Sequence, residues 1–261
     1  MQVKFSLGLT GHPDQLVQIP EIWPVSSAVP QSASSELSCA STELVNLRLA
    51  WQQLNASTEA PNPTQLTTLL DKATTLDTRI ASWTNALPAH WMPVQSTTIP
   101  ASVLTAGIFA NRCDCYCDLW IASTWNFYRD SRIVIHNIIL HCLRMLPSHG
   151  ATLARIEVST SMIRSLATDI CASVPFFLGS QMVSVPMNLV QSSNVEYPVA
   201  ENRPVTAAHQ QTAPLLGGWF VLSYLESLSS PNLGLDEELV GWMRGQVQRI
   251  LKIYTFDGTL M

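Results

Sequence analysis

Three cysteines occupy alternate positions in the middle of the chain, at Cys113, Cys115 and Cys117. Thiolates this close in sequence can bind a soft metal such as zinc. The surrounding sequence predicts a helix, on which Cys115 would point away from the other two, because only residues three or four apart share a face. A structural zinc site also needs a loop and a second ligand pair. We therefore expect structural cysteines, no metal and no cofactor.

Two histidines, His136 and His141, are five positions apart. The zinc-protease motif spaces its histidines by four and places a glutamate between them. His141 and Cys142 would form a nucleophilic pair only through tertiary contact, since adjacent residues on a helix diverge. The sequence contains no nucleophile elbow, phosphate-binding glycine loop or dinucleotide fingerprint. It therefore favours partly buried, hydrogen-bonded histidines in a protein that is not an enzyme.

A group of aromatic and basic side chains in the same region is the candidate wall of a ligand pocket. An arginine beside aromatic rings can hold a carboxylate or phosphate while the rings bury an apolar ligand. The alternative is an ordinary helical core with two arginines at its edge, and aromatic stripes at helical spacing are usually packing. The candidate ligand-binding residues are Trp120, Trp125, Tyr128, Arg129 and Arg132.

Composition restricts the class of protein that must position these residues. The chain has 261 residues, of which 47% are hydrophobic and 13% charged, and this composition predicts a folded domain with a sizeable core. Its net charge is −5 and its arginines are scattered singly, so we expect no direct DNA binding. No secretory signal or membrane span is evident, which predicts an intracellular protein with reduced thiols and no membrane contact.

The periodicity of apolar residues predicts an all-α fold, an irregular multi-helix domain with a long loop before the C-terminal helices. Residues 1–35 are expected to be irregular and 36–261 to form the domain. The stretch 101–146 carries the strongest helical signal, for one bent helix or two in series, and Thr64 is the expected N-cap of an earlier helix. Pro175 is expected to end the next helix. Residues 179–218, rich in proline and small polar residues, are expected to form the long loop, followed by helices over 219–228 and 236–254.

Several segments, in order, resemble the regulatory domain of fungal zinc-cluster transcription factors. The resemblance covers roughly residue 66 to the C-terminus, and the run beginning at Asp118 is its most specific part. Its segments are Leu76–Trp83 with Leu87–Trp91, Asp118–Arg129 with Ser131–His136, Asp169–Gly179, Gly217–Phe220 and Trp242–Gln246.

The resemblance implies an all-α regulatory domain that responds to a protein or small-molecule signal, and a location in the nucleus, with the cytoplasm as the alternative. The chain departs from the family in several respects. The six-cysteine zinc cluster is not present, since Cys39 stands alone in a segment that is not basic. Phe177 stands where many relatives have histidine, and Ser223-Tyr224 replaces a common Trp-Pro pair.

Three hypotheses follow. The first is a transcription regulator of fungal specialised metabolism that has no DNA-binding module of its own. It would act through a transcription-factor partner, through a second copy of itself, or through a small apolar effector. The second is a helical domain that has become a biosynthetic enzyme for an apolar metabolite, with acid–base or electrostatic roles for His136, His141, Tyr128 and Arg132. The third is a non-functional remnant that does not fold alone.

Overall fold

The computed structural model describes residues 33–57, 61–147 and 150–254. These residues form α-helices with one two-residue antiparallel strand pair, so the prediction of an all-α fold is confirmed. The predicted irregular segment 1–35 lies outside the described residues as far as position 32, and positions 33–35 are helical. The helices are α1 (Ala33–Ala56), α2 (Pro63–Ser82), α3 (Ala101–Ala106), α4 (Leu119–Met145), α5 (Gly150–Leu178), α6 (Ala207–Leu228) and α7 (Glu237–Tyr254), and the strands are β1 (Val94–Gln95) and β2 (Asp114–Cys115).

Side-chain caps fix where three of these helices begin. The Asn62 side chain accepts a hydrogen bond from the Thr64 N–H, so the N-cap of α2 is Asn62 and the prediction of Thr64 is wrong. Pro63 follows at the first helical position, where its missing N–H costs nothing. Asp118 caps α4 through a 2.7 Å bond from the Ile121 N–H, and Thr206 caps α6 in the same way.

Helix α4 lies at the centre of the fold and packs against α1, α2, α5 and α6. It buries residues around most of its circumference, which is why its sequence is apolar on more than one face. Helices α6 and α7 are antiparallel. Gly218, in the middle of α6, contacts Tyr254 at the end of α7, whereas Ser229, just after α6, contacts Arg244 earlier in α7.

The predicted helical stretch 101–146 is divided. Only α3 and α4 are helical, and residues 107–118 form a link that contains β2. Gly107 leaves α3 with a φ of 104°, and Ala110 and Asn111 have positive φ values of 48° and 52°. Such backbone angles end a helix, and they are the reason that a continuous apolar period did not produce a continuous helix.

Pro175 does not end α5, which continues to Leu178. A proline inside a helix removes one hydrogen bond and costs about 3 kcal/mol. Phe176, Phe177 and Leu178 beyond it are all buried, so tertiary packing holds the last turn in place.

The predicted loop 179–218 is shorter than expected. Residues 207–218 belong to α6, which includes Pro214 at an internal position. The remaining segment 179–206 is irregular apart from a 3₁₀ turn at Met187–Ser192. Within it, the Ser180 N–H donates to the Glu196 carbonyl at 2.8 Å, which closes a loop over residues 180–196.

Helix α5 is long and apolar enough to cross a membrane by length and composition alone. In the structure 67% of its most apolar window is buried against the rest of the protein. Core helices of soluble proteins pass the same test, and we interpret α5 as a core helix.

Candidate functional site

Helix α4 positions the five candidate ligand-binding residues, but it does not bring them all together. Trp125, Tyr128, Arg129 and Arg132 are buried, and their spacing of three and four residues places them on adjoining parts of the helix surface. Trp120 is 58% exposed, because five residues separate it from Trp125 and the helix has turned away by then. The structure thus assembles four of the five.

The aromatic members pack against other aromatic rings. The Trp83 ring centroid lies 5.3 Å from those of Trp125 and Tyr128, and 6.3 Å from that of Trp91. The indole N–H of Trp125 donates to the Trp91 carbonyl at 2.7 Å. Buried tryptophans need such a partner for their one polar atom, so this part of the site is a satisfied aromatic core.

Arg132 forms a bidentate ion pair with Asp77 of α2. Its Nε and Nη2 atoms lie 2.8 and 3.0 Å from the two carboxylate oxygens, and its Nη1 donates to the Tyr128 hydroxyl at 3.0 Å. Burial alone would raise the pKa of Asp77, but the close contact of His136 and the hydrogen bonds and charge of Arg132 outweigh it and lower that pKa to about 2. The carboxylate is therefore ionised throughout the physiological range.

Asp77, His136 and Ser159 form a chain of the three residue types found in serine hydrolases. His136 Nδ1 lies 3.2 Å from Ser159 Oγ, and His136 Nε2 lies 3.4 Å from Asp77 Oδ2 without a well-formed hydrogen bond. Serine hydrolases use the opposite ring nitrogens for these two contacts. Ser159 is only 4% exposed and sits between α4 and α5, so the arrangement is a structural network that a substrate does not reach.

Arg129 belongs to a second buried polar network. Its Nη1 donates to the Tyr116 hydroxyl at 2.7 Å and to the Asn126 side-chain oxygen at 2.9 Å. Its Nη2 lies 3.8 Å from the Asp114 carboxylate, which also accepts two hydrogen bonds from Arg112. Burial raises the pKa of Tyr116 to about 12, so its hydroxyl stays protonated beside the guanidinium.

Both candidate arginines thus already have partners. Arg132 is held by a carboxylate in a geometry that matches its planar guanidinium, and Arg129 by a hydroxyl, an amide and a more distant carboxylate. An anionic ligand would have to compete with these groups for the same donors. Ligand binding by Trp120, Trp125, Tyr128, Arg129 and Arg132 stays a prediction.

The cysteine cluster lies in and around β2, where the helix predicted from the sequence is absent. Cys113 and Cys115 are buried, as is Asp114 between them, whereas Cys117 is exposed. Burial, followed by the neighbouring Cys113 thiol and the charge of Asp114, raises the pKa of Cys115 to about 12. Across residues 33–57, 61–147 and 150–254, no group of three histidine, cysteine or acidic residues is placed to bind a metal ion.

A surface pocket of about 600 Å³ lies between α1 and α2, away from the α4 residues. Most of its lining side chains are polar, and none of the five candidate ligand-binding residues contributes. The lining residues are Ala50, Gln53, Leu54, Ser57, Pro61, Asn62, Thr64, Gln65, Thr68, Leu69 and Lys72.

Arg249 of α7 is a buried cation that the sequence reasoning missed. It donates to the carbonyls of Gly179 at 2.7 Å, Gln181 at 2.8 Å and Ala106 at 3.2 Å, so it caps the ends of α5 and α3. No carboxylate pairs with it among the described residues, and burial lowers its pKa to about 10. Its position on the apolar face of α7, next to Ile250, was the sequence feature that could have indicated its burial.

Asp130 of α4 is a second missed residue. It is 5% exposed and makes no hydrogen bond or ion pair that links it to another described side chain. Burial raises its pKa to about 6, and the charge of Arg48 on α1 only partly opposes this. Asp130 stands in the polar stretch 129–132, so no local sequence pattern distinguished it from an exposed acidic residue.

Comparison with known proteins yields one informative similarity. No family model and no solved structure matches the chain. Over 148 residues the chain is 28% identical to a protein described as transcription factor dbaG of Emericella nidulans. This segment covers 52% of the chain and 34% of that protein, so the chain spans about a third of its relative's length. The chain is therefore similar, over half its length, to part of a fungal transcription factor.

Proposed function

We propose that this protein is a transcription-factor-like regulator of fungal specialised metabolism, acting in the nucleus through a bound protein or small apolar effector. The observation that carries the proposal is the similarity to transcription factor dbaG. The all-α fold is consistent with it, since the segments that resemble the zinc-cluster regulatory domain fall on the α2, α4, α5, α6 and α7 regions.

The buried chemistry supports a regulatory role over an enzymatic one. The most reactive combination of side chains is Asp77 with His136 and Ser159, of which His136 and Ser159 are buried, and His136 contacts both of the others. Cys142, beside His141, is buried and burial raises its thiol pKa to about 11, so it is protonated near neutral pH and a poor nucleophile. These groups stabilise the helix packing.

The experiment is paired transcript and metabolite profiling of a strain from which the gene is deleted and of the same strain after complementation. For a regulator, we expect transcripts of a set of biosynthetic genes to fall together with their product, and both to recover on complementation. Unchanged transcripts with accumulation of one pathway intermediate would contradict the proposal. That result would instead support the enzymatic alternative, with the accumulated intermediate as the substrate.

A further inference from the structure

We propose that Ser230, in the link between α6 and α7, is a phosphorylation site for a proline-directed protein kinase, and that Arg244 of α7 binds the added phosphate. The link, residues 229–236, is called the α6–α7 link. The inference goes beyond the proposed function and does not rest on it, because it follows from the sequence and geometry of this link.

The dipeptide Ser230-Pro231 occurs once in the chain. The sequence has 16 prolines, and Pro231 is the only one that directly follows a serine or threonine. A kinase that requires proline immediately after the acceptor hydroxyl therefore has a single matching position. The dipeptide also falls between two helices rather than inside one.

The backbone at Ser230 is extended. Its φ and ψ angles are −69° and 137°, in the region to which a following proline restricts a residue. Protein kinases bind the acceptor segment in an extended conformation, so no α-helix has to unwind at Ser230. A 3₁₀ turn, Pro231–Leu233, comes next, and none of its residues is buried. Little packing therefore opposes the opening of this turn on a kinase surface.

The Ser230 hydroxyl is free, unlike many other hydroxyls of the chain. The helical residues Thr68, Thr74 and Thr78 donate to the carbonyl four residues earlier, at 2.8, 2.8 and 2.9 Å. Ser230 is half-buried, and within the described ranges its hydroxyl makes no hydrogen bond to a helix end or to another side chain. Pro231 and Asn232 beside it are exposed. The hydroxyl can therefore enter a kinase active site without breaking a bond.

The reaction is a phosphoryl transfer from ATP. The Ser230 hydroxyl oxygen attacks the γ-phosphorus, and a new O–P bond forms to Ser230. The bond from the γ-phosphorus to the oxygen that bridges it to the β-phosphate breaks, and ADP leaves with that electron pair. The hydroxyl proton passes to the catalytic aspartate of the kinase.

Arg244 is placed to bind the product. It is exposed, and its Nη2 donates at 3.2 Å to the Ser229 carbonyl, which belongs to the peptide bond that joins Ser229 to Ser230. A phosphoserine carries about −1.5 to −2 charges and accepts paired hydrogen bonds from a guanidinium. The other charges nearby in sequence are the carboxylates of Asp236 and Glu237, which would repel a phosphate. Arg244 is thus the group that offsets the new charge.

The test is phosphorylation of the purified full chain with Mg²⁺, ATP and two proline-directed kinases, one cyclin-dependent and one mitogen-activated. Tandem mass spectrometry locates the phosphate. We expect phosphate on Ser230 of the wild-type chain and its loss in both Ser230→Ala and Pro231→Ala, the second of which keeps the hydroxyl. Ser229→Ala is the matched control on the neighbouring serine and should accept phosphate like wild type.

Phosphorus-31 NMR of the phosphorylated chain tests the role of Arg244. The second pKa of a phosphoserine is ordinarily about 6, and a guanidinium beside the phosphate lowers it by favouring the dianion. We expect the phosphate of the wild-type chain to titrate at a lower pH than that of Arg244→Gln. This comparison cancels the opposing effect of Asp236 and Glu237, because both chains contain them.

Three results would overturn the proposal. Neither kinase could add phosphate to Ser230 of the wild-type chain. Pro231→Ala, folded by circular dichroism, could accept phosphate on Ser230 as readily as wild type, which would exclude a proline-directed site. Equal titration midpoints in wild type and Arg244→Gln would exclude Arg244 as the phosphate-binding residue. Because Ser230→Ala and Pro231→Ala remove different requirements, the test stays decisive if one of them fails to fold.

Discussion

Asp77 supports two buried side chains, Arg132 and His136. We expect Asp77→Asn to lower the free energy of unfolding by about 3–5 kcal/mol at pH 7, because it leaves the Arg132 guanidinium buried without a counter-charge. Urea denaturation measures this change. Asp71→Asn, an exposed change on the same helix, is the control and should stay within about 0.5 kcal/mol of wild type.

The pH dependence of Asp77 has a defined sign. The folded-state pKa, about 2, lies below the ordinary aspartate value of 3.8, so the ionised form stabilises the fold. This contribution is complete above the unfolded-state pKa and is lost as the pH falls from there towards 2. A D77N variant whose stability difference from wild type did not shrink over that interval would contradict the interpretation.

Asp130 should show the opposite behaviour. Its folded-state pKa of about 6 exceeds the ordinary aspartate value of 3.8, so ionisation destabilises the folded protein at neutral pH by up to about 3 kcal/mol. We expect Asp130→Asn to be more stable than wild type above pH 6, by about 1–3 kcal/mol. The advantage should disappear as the pH falls to about 4.

Thermal or urea unfolding at several pH values between 4 and 8 measures the Asp130 effect. Two side chains on other helices act on this carboxylate, Arg48 of α1 by its charge and Tyr224 of α6 by its proximity. A constant difference between D130N and wild type at every pH would show that the carboxylate does not titrate in this range. That result would also contradict the argument that burial destabilises the ionised Asp130 carboxylate.

The sequence could identify candidate residues but not their partners. Helical spacing alone places Trp120 on a different part of the helix surface from Trp125, Tyr128, Arg129 and Arg132. The sequence was therefore sufficient to exclude Trp120 from the candidate ligand-binding residues. By contrast, Arg132 pairs with a carboxylate 55 positions away, and Arg249 bonds a carbonyl 143 positions away. Pairings of this range follow from the packing of whole helices, which no local pattern encodes.

At the scale of elements, two glycines allow α6 to approach its neighbours. A Cβ atom at position 217 would lie 2.1 Å from the Phe177 carbonyl oxygen, and one at 218 would lie 2.2 Å from the Tyr254 ring. We expect Gly217→Ala to lower the free energy of unfolding by several kcal/mol, roughly 2–4, because the helices must separate.

Gly241→Ala on α7 is the matched control for Gly217→Ala. No atom lies within 4 Å of the Cβ that it would add, so alanine should stabilise the helix by about 0.5–1 kcal/mol. Chemical denaturation of the two variants in parallel measures both effects. Equal changes of the same sign would show that close packing at Gly217 is unimportant.

Arg249 joins the ends of α3 and α5 to α7. We expect Arg249→Lys to lower the free energy of unfolding by about 2–3 kcal/mol, because an ammonium group cannot reach the carbonyls of Gly179, Gln181 and Ala106 together. Hydrogen exchange of the segment after α5 should also become faster. The control is Arg244→Lys, since Arg244 is exposed and donates to a single carbonyl, that of Ser229, within the described part of the chain.

The predicted type of each element was correct more often than its predicted first and last residues. Pro175 was expected to end a helix and Pro214 to lie in the loop 179–218, but both lie inside helices. Buried residues follow each of them, Phe177 after the first and Gly218 after the second, so packing holds the helix where a hydrogen bond is lost. Residues 107–118 form β2 and a link rather than a helix. The residues of β2 are buried, and a buried strand can carry apolar residues at positions that also fit a helical period.

At the scale of the whole molecule, basic residues are few and most arginines have intramolecular partners. The chain has 14 lysines and arginines against 19 acidic residues. Arg112, Arg129, Arg132 and Arg249 are engaged with side chains or carbonyls of the same chain. Surface arginines such as Arg164 are paired with carboxylates. Phosphate contacts on DNA need unpaired cations in a continuous stripe, which the described residues do not present.

This charge distribution predicts that the chain alone does not bind duplex DNA at physiological salt, about 150 mM. In a gel-shift or fluorescence anisotropy assay, we expect any dissociation constant to be weaker than roughly 100 μM, at the limit of non-specific binding. Submicromolar binding that weakens steeply with added salt would contradict the prediction. On the proposed function, we expect this domain to reach DNA through a DNA-binding partner. Mixing the chain with such a partner should then produce a slower complex on DNA than the partner forms alone.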